Sequence, residues 1–140
     1  ENPAPVVVAA GLGQPHELPA AGPPVPAPDA MIPLTREEMT ALLRFTGWDE
    51  AVIEEALYVA SKESGYKPGS IGNTCAFWCL GLFQLDEGTW PRFCHMSREE
   101  LLTAIAGARC AWLTYQYDLS VGQPPWWQWQ WYYWERIRTQ

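Results

Sequence analysis

The residue whose type and position first suggest chemistry is Glu63, in the stretch YVASKESGYKPGS (58–70). It follows the helix-like apolar run 51–60 and stands directly before Ser, Gly and Tyr. A negative charge at a helix C-terminus is opposed by the helix dipole, which raises the pKa of a carboxyl group there. Burial would raise this pKa further. A carboxyl group that keeps its proton near neutrality can act as a general acid on a leaving oxygen. A Glu in an exposed last turn is otherwise an ordinary solvated residue, so its position by itself leaves both interpretations open.

Two predicted helices bring this acid to its place. Thr35 and Glu38 have the spacing of a capping box that opens the first helix, and Gly47 ends it. Asp49 caps the second helix. The apolar face of that helix is made by Val52, Ile53, Ala56, Leu57 and Ala60. Gly65 supplies the left-handed residue that ends the second helix just beyond the acid.

The rest of the chain predicts loops, a turn and further helices. KPGSIGNTCAFWC (67–79) is typical of a loop, and LGLFQLDEGTW (80–90) of a short helix or turn. Ser97 and Glu100 form a second capping box, which predicts a helix that continues through Tyr115. In the Trp-rich C-terminal stretch, the alternation of Trp127, Trp129 and Trp131 favours a strand. The helical face shared by Trp127, Trp131 and Trp134 favours a helix. The prolines at positions 124 and 125 favour a helix that starts there.

The four cysteines indicate two disulfides, because no paired CxxC spacing typical of zinc sites is present. Three pairings exist for four cysteines. We expect Cys75–Cys79 with Cys94–Cys110, since each bridge then closes a loop between neighbouring segments. Disulfides are typical of proteins outside the reducing cytosol. Free buried thiols are the alternative.

Composition excludes several classes of function. The chain has 140 residues, enough for one domain with a single core, and 48% of them are hydrophobic. The net charge is -7 and the basic residues are scattered, so nucleic acid is not an expected partner. No apolar run approaches the ~20 residues that a membrane-spanning helix needs. No metal or nucleotide motif is present, and no cofactor or metal is expected.

The N-terminal segment 1–30 differs in composition from the remainder. It carries eight prolines and almost no charge, which predicts an extended, polyproline-like arm or linker. The domain proper is then expected over residues 31–140. An arm of this kind is expected to lie against its own domain or against a protein partner.

Three motifs resemble, in order and spacing, the lysozyme-like lytic transglycosylase family of the SLT and goose-lysozyme type. They are KESGYKPGSIGN (62–73), GLFQLDEGTW (81–90) and GARCAWLTYQYDLSVGQPPWWQW (107–129). The first is similar to the family's Glu-Ser-Gly at a helix end, and the second to its Gly-Leu-Met-Gln motif. The resemblance extends over residues 35–130 and implies a mostly α, lysozyme-like domain with little or no β-sheet. It also implies an extracellular protein, associated with a cell wall or a virion.

The resemblance implies a role for each matching residue. Glu63 would act as acid and then as base on the β-1,4 bond between N-acetylmuramic acid and N-acetylglucosamine in a peptidoglycan glycan strand. Ser64 would help to hold the site, and Tyr115 is the best substitute for the family's Ala-Tyr-Asn tyrosine. The turn that would line the glycan groove comprises Gly81, Leu82, Phe83 and Gln84. Within it Gln84 would donate to a sugar, and Phe83 stands where the family usually has Met.

A second catalytic carboxylate would change the reaction. Two-acid glycosidases need a partner carboxyl group at about 5 Å for retention or ~6.5–9.5 Å for inversion. Asp86 and Glu87 are the candidates, and an exposed helix end is their alternative interpretation. The resemblance needs only Glu63, which favours a lytic transglycosylase over a hydrolase. The other functions considered are a non-catalytic glycan-binding module and a structural component of a virion or cell-surface assembly.

Overall fold

The computed structural model describes residues 22–140, and this part of the chain is mostly helical, with one small sheet. The α-helices are α1 (Arg36–Phe45), α2 (Glu50–Ser64), α3 (Trp90–Cys94), α4 (Ala104–Ser120) and α5 (Gln130–Arg138). The strands are β1 (Ile71–Gly72), β2 (Cys79–Leu80) and β3 (Leu85–Asp86). The prediction of a mostly α protein with little sheet is confirmed. No helix within 22–140 is long and apolar enough to cross a bilayer.

The described end of the proline-rich segment contacts the helical domain. Residues 1–21 of the predicted arm lie outside the described residues. Pro28–Met31 forms a 3-10 helix instead of the predicted extended chain, because a proline at the first position has a φ that suits such a turn. Ala30 O accepts a hydrogen bond from Gly69 N at 2.8 Å. A Cβ at Gly69 would lie 2.7 Å from Pro26 Cβ, so the segment packs closely on the loop after α2.

The caps predicted for α1 and α2 are confirmed. Thr35 Oγ1 accepts from Glu38 N at 3.0 Å, and Glu38 Oε1 accepts from Thr35 N at 2.8 Å. Asp49 Oδ1 accepts from Ala51 N at 3.1 Å. Gly65 has φ 60°, in the left-handed region, and ends α2. The buried residues of α2 are Ile53, Ala56, Leu57, Val59, Ala60 and Ser64.

A three-stranded antiparallel sheet follows α2, where the sequence predicts only loop and a short helix or turn. The strands lie in the order β1-β2-β3, with Ile71 opposite Leu80 and Leu80 opposite Leu85. Each strand has two residues, too few for an alternating pattern to be visible in the sequence. A turn over 81–84 joins β2 and β3, so the turn interpretation is right and the helix interpretation is wrong there.

The second capping box forms, but it does not open the long helix that the sequence predicts. Glu100 N donates to Ser97 Oγ at 3.0 Å, and Ser97 N donates to Glu100 Oε1 at 2.8 Å. These bonds begin the short 3-10 helix Glu100–Leu102. Thr103 then has φ -106° and ψ 155°, an extended conformation, so α4 starts afresh at Ala104. Burial of Leu101 and Leu102 in the core accompanies this break.

The C-terminal helix is present but begins later than predicted. The sequence places its start at the two prolines, whereas α5 begins at Gln130. Trp126 has φ 65°, which no α-helix accommodates, and its side chain is only 1% exposed. Trp129 is also buried. Seating these two indoles in the core therefore requires an irregular chain between the prolines and α5.

Aromatic side chains form the centre of the core. The Trp48 ring stacks on Phe83 with centroids 5.2 Å apart, and it lies 6.1 Å from Trp126. Trp126 also meets Trp129 edge-on at 5.3 Å. These contacts join the α1–α2 connection, the β2–β3 turn and the C-terminal segment. The core therefore depends on residues far apart in the chain.

Both disulfides form in the expected pairing. Cys75–Cys79 closes the loop between β1 and β2, and Cys94–Cys110 joins α3 to α4. No cysteine is left free. The second bridge lies in the core, since Cys94 and Cys110 are both buried.

Asp118, near the end of α4, is expected to make stability depend on pH. It is 4% exposed, Oδ2 has no partner within residues 22–140, and Oδ1 accepts from Gln128 Nε2 at 3.1 Å. Burial raises the pKa of Asp118 from 3.8 to about 6 and outweighs the hydrogen bond from Gln128, which lowers the pKa. Between pH 3.8 and about 6, Asp118 loses its proton in the unfolded chain but keeps it in the folded protein. The free energy of unfolding should therefore fall as pH rises through this range. At pH 7, Asp118→Asn should therefore raise the free energy of unfolding by up to about 3 kcal/mol.

Urea unfolding at pH 4 and pH 7 measures this effect. The gain from Asp118→Asn should be small at pH 4, where the carboxyl group is protonated in the folded state. Asp29→Asn, at an exposed position, is the matched control. Equal effects of Asp118→Asn at the two pH values would contradict the assignment of a buried, proton-binding carboxyl group.

Candidate functional site

Glu63 lies in the last turn of α2 and is partly buried. The helix ends one residue later because Gly65 adopts the left-handed conformation. Burial raises the pKa of Glu63, while a hydrogen bond from Trp131 acts in the opposite, lowering direction. Desolvation is the larger cause, so the carboxyl group holds its proton more tightly than a solvated Glu.

The Trp131 indole is the hydrogen-bond donor to this acid. Trp131 Nε1 donates to Glu63 Oε2 at 2.7 Å. The indole ring lies against Tyr58, with centroids 6.0 Å apart, and against Tyr132 at 5.6 Å. Trp131 comes from α5, and Tyr58 lies five residues before the acid on α2. The C-terminal helix thus forms one wall of the site.

A second carboxylate of α2, Glu55, anchors the C-terminal segment. Glu55 Oε2 accepts from Tyr132 OH at 2.8 Å and from Arg136 Nε at 2.7 Å. Glu55 Oε1 accepts from Trp126 Nε1 at 3.3 Å. The side chains of the ion pair are about one-third exposed, at 28% and 30%, so its charges are partly screened. This cluster holds α5 against α2 and so brings Trp131 within hydrogen-bonding distance of Glu63.

Sequence reasoning missed Glu55 and Trp131. The sequence does show a Trp-rich end, and Trp131 belongs to its candidate helical face. However, a donor and an acceptor separated by 68 residues leave no local signal of their pairing. Only the docking of α5 on α2 reveals the contact.

Ser70 links the end of α2 to the Gly81–Gln84 turn. Ser70 Oγ donates to Ser64 O at 3.3 Å. Ser70 O accepts from Gly81 N at 2.8 Å and from Gln84 Nε2 at 3.1 Å. The structure therefore brings together the neighbourhoods of two motifs that the sequence analysis singled out, with a short hydrogen-bonded path between them.

Gln84 is held in one orientation. Its Nε2 also donates to Gly81 O at 3.0 Å, so both amide hydrogens have backbone acceptors. Its backbone has φ 52°, in the left-handed region. Its Oε1 lies where a Cβ at Gly72 would be. The expected donation from Gln84 to a sugar would therefore have to replace one of these backbone bonds.

The other residues that match the family motifs are buried. Leu82 and Phe83 are 0% and 1% exposed, and Tyr115 is 6% exposed within the aromatic core. Ser64 is buried and its Oγ donates to Ala60 O at 3.0 Å. Gly81, with φ 83°, has no room for a side chain because a Cβ there would collide with Leu101 O. Ser64 and the turn residues therefore shape the helix end and the turn from within the core, while Tyr115 belongs to the aromatic core on α4.

Asp86 and Glu87 have structural partners. Asp86 Oδ1 accepts from Phe77 N and from Gly88 N, both at 3.3 Å. Glu87 forms an ion pair with Arg98 at 2.5 Å, and the Glu87 side chain is only 7% exposed. Asp86 ends β3 and Glu87 lies in the turn after it, not at the exposed helix end of the alternative interpretation. These contacts stabilise the turn that follows β3.

Within residues 22–140, no group of three or more His, Cys, Asp or Glu side chains is arranged to hold a metal ion. No model of a known protein family matches the sequence, and no curated protein matches it.

Proposed function

We propose that this protein is a lysozyme-like lytic transglycosylase that cleaves peptidoglycan glycan strands with Glu63 as its single acid and base. The observation that carries the proposal is the environment of Glu63. This carboxyl group lies in the last turn of α2, has a pKa raised by burial, and is beside the exposed rings of Tyr58 and Trp131. A carboxyl group with a raised pKa can be protonated near neutrality and deliver that proton in the transition state.

The reaction follows from one carboxyl group used twice. Protonated Glu63 gives its proton to the glycosidic oxygen as the bond from that oxygen to the sugar C1 breaks. The resulting carboxylate then removes the proton of the same sugar's 6-hydroxyl, and O6 bonds to C1. The product carries a 1,6-anhydro ring, no water is consumed, and Glu63 regains its proton.

The residues around the acid fit a sugar substrate. Tyr58 and Trp131, 38% and 37% exposed, offer ring faces of the kind that pack on the apolar faces of sugars. The mostly helical fold, the acid at the end of α2 and the GLFQ turn between β2 and β3 support the lysozyme-like assignment. The two disulfides support an extracellular setting.

Roles for Asp86 and Glu87 as a second catalytic acid are disfavoured by their contacts. Asp86 accepts from two backbone N–H groups, and Glu87 is paired with Arg98 in a nearly buried position. Releasing Glu87 for catalysis would break its ion pair with Arg98, whose side chain is only 18% exposed, and this is costly. The proposal therefore assigns the whole reaction to Glu63.

Digestion of purified peptidoglycan in water enriched in heavy oxygen tests the proposal. We expect soluble muropeptides that end in an unlabelled 1,6-anhydro sugar, lighter by one water than the reducing product. Labelled reducing ends would show hydrolysis and contradict the ring-closing reaction. Protein that sediments with peptidoglycan but releases no product would contradict the enzymatic proposal and indicate a binding module.

A further inference from the structure

We propose that Trp131 is the positioning residue for Glu63, because its indole N–H fixes Oε2 and leaves Oε1 as the oxygen that carries the transferable proton. The catalytic meaning of this assignment rests on the proposed function. The hydrogen bond itself is a property of the free protein and can be measured without any substrate.

The assignment of the proton follows from the chemistry of the donor. An indole nitrogen donates and does not accept, so Oε2 must act as the acceptor at 2.7 Å from Nε1. A neutral carboxyl group with Oε2 engaged in this way keeps its proton on Oε1. Within residues 22–140, Trp131 is the partner of the Glu63 side chain, and Oε1 is not among the fully buried unpaired atoms. Oε1 therefore remains open to a substrate oxygen.

The indole is held rigidly enough to do this. Its ring forms a cluster with the rings of Tyr58 and Tyr132, which also contact each other, and Tyr132 OH donates to Glu55. Arg136, one helical turn and a residue beyond Trp131, makes the second bond to Glu55. A side chain already packed in such a cluster loses little further freedom when it makes a hydrogen bond. The N–H is thus pre-organised for the carboxyl group.

The indole also stabilises the ionised form of Glu63 that exists between the two steps. An N–H donor to a carboxylate is a charge-assisted hydrogen bond, and it strengthens as the carboxyl group loses its proton. The neighbouring charged groups have other contacts: Lys62 lies over the Tyr58 ring, Glu135 accepts from Tyr58 OH, and Arg136 is paired with Glu55. Lys67 passes Gly65. Trp131 is therefore the group that counters desolvation of the acid.

Trp131→Phe tests the proposal, since it keeps a ring and removes the N–H. In a carbon-detected NMR titration, the Glu63 pKa should rise, because the ionised form loses its hydrogen-bond donor. The matched control is Trp134→Phe, also on α5, where the indole is 50% exposed and should leave the Glu63 pKa unchanged. An unchanged or lowered Glu63 pKa in Trp131→Phe would overturn the proposal, since loss of packing alone would hydrate the acid.

A second measurement uses the unmodified protein and does not depend on how the variant folds. The indole N–H resonance of Trp131 should titrate with the same midpoint as the Glu63 carboxyl carbon. In Glu63→Gln that titration should disappear. An indole resonance that does not follow Glu63 would overturn the proposal.

A kinetic experiment separates this inference from the proposed function. If peptidoglycan is cleaved, the basic limb of the pH–rate profile should move to higher pH in Trp131→Phe, in parallel with the NMR value. An unmoved basic limb alongside a raised pKa would contradict the positioning role. If no cleavage occurs, the proposed function fails, while the two NMR titrations still decide whether Trp131 sets the state of Glu63.

Discussion

Glu63→Gln is expected to lower the rate of peptidoglycan clearing by ~10²–10⁴-fold, the usual cost of removing a positioned general acid. The amide has nearly the same shape, and its oxygen can still accept from Trp131 Nε1, which donates to the carboxylate at 2.7 Å in the native protein. It has no proton to give to the glycosidic oxygen. The fold should therefore persist while the reaction stops.

Initial rates of turbidity loss in a peptidoglycan suspension measure this effect. Glu54→Gln is the matched control, because Glu54 lies on the same helix and its side chain is 81% exposed. That variant should clear the suspension at the native rate. Thermal unfolding of each variant, followed by circular dichroism, shows whether it is folded. A folded Glu63→Gln protein that clears at the native rate would remove Glu63 from the mechanism.

Removal of the Cys94–Cys110 bridge is expected to cause a large loss of stability. The bridge spans a sequence separation of 16 residues and joins α3 to α4. The chain-entropy relation gives about 3 kcal/mol for a loop of this size. Both cysteines are buried in the core, so the double variant Cys94→Ala/Cys110→Ala also loses packed sulfur atoms. The loss should therefore be at least the entropic value.

The other bridge provides the comparison. Cys75–Cys79 has a sequence separation of 4, for which the same relation gives about 2 kcal/mol. Cys75 is only partly buried, so less packing is lost in Cys75→Ala/Cys79→Ala. Urea unfolding of the two double variants without reductant ranks the bridges. A larger loss of stability from removing Cys75–Cys79 would contradict the prediction that the longer and more buried bridge contributes more to the free energy of unfolding.

The local features of the fold could be predicted because their causes lie within a few residues. The Thr35–Glu38 capping box and the Asp49 cap depend on side chains that reach backbone groups two or three residues away. Gly65 ends α2 because glycine adopts a positive φ without a steric penalty. The same locality explains the disulfide pairing, since each bridge joins neighbouring segments of the chain.

Predictions failed where burial decided the backbone. The Ser97–Glu100 box has the right local chemistry, yet the chain leaves the helix at Thr103 as the leucines before it enter the core. The prolines before Trp126 do not start a helix, because that indole is buried with its residue in a left-handed conformation. The two-residue strands are too short to carry a pattern.

The sequence by itself determined the positions of α1 and α2, the end of α2 at Gly65, the cysteine pairing and the candidate acid. The helices follow from capping, glycine geometry and hydrophobic spacing, which act over a few residues, and the cysteine pairing follows from closing loops between neighbouring segments. The tertiary structure alone decided that Trp131 donates to Glu63 and that Glu55 anchors α5. It also decided which motif residues are buried. Such contacts join residues about 70 or more positions apart, and they are set by how whole helices pack rather than by any neighbouring residue.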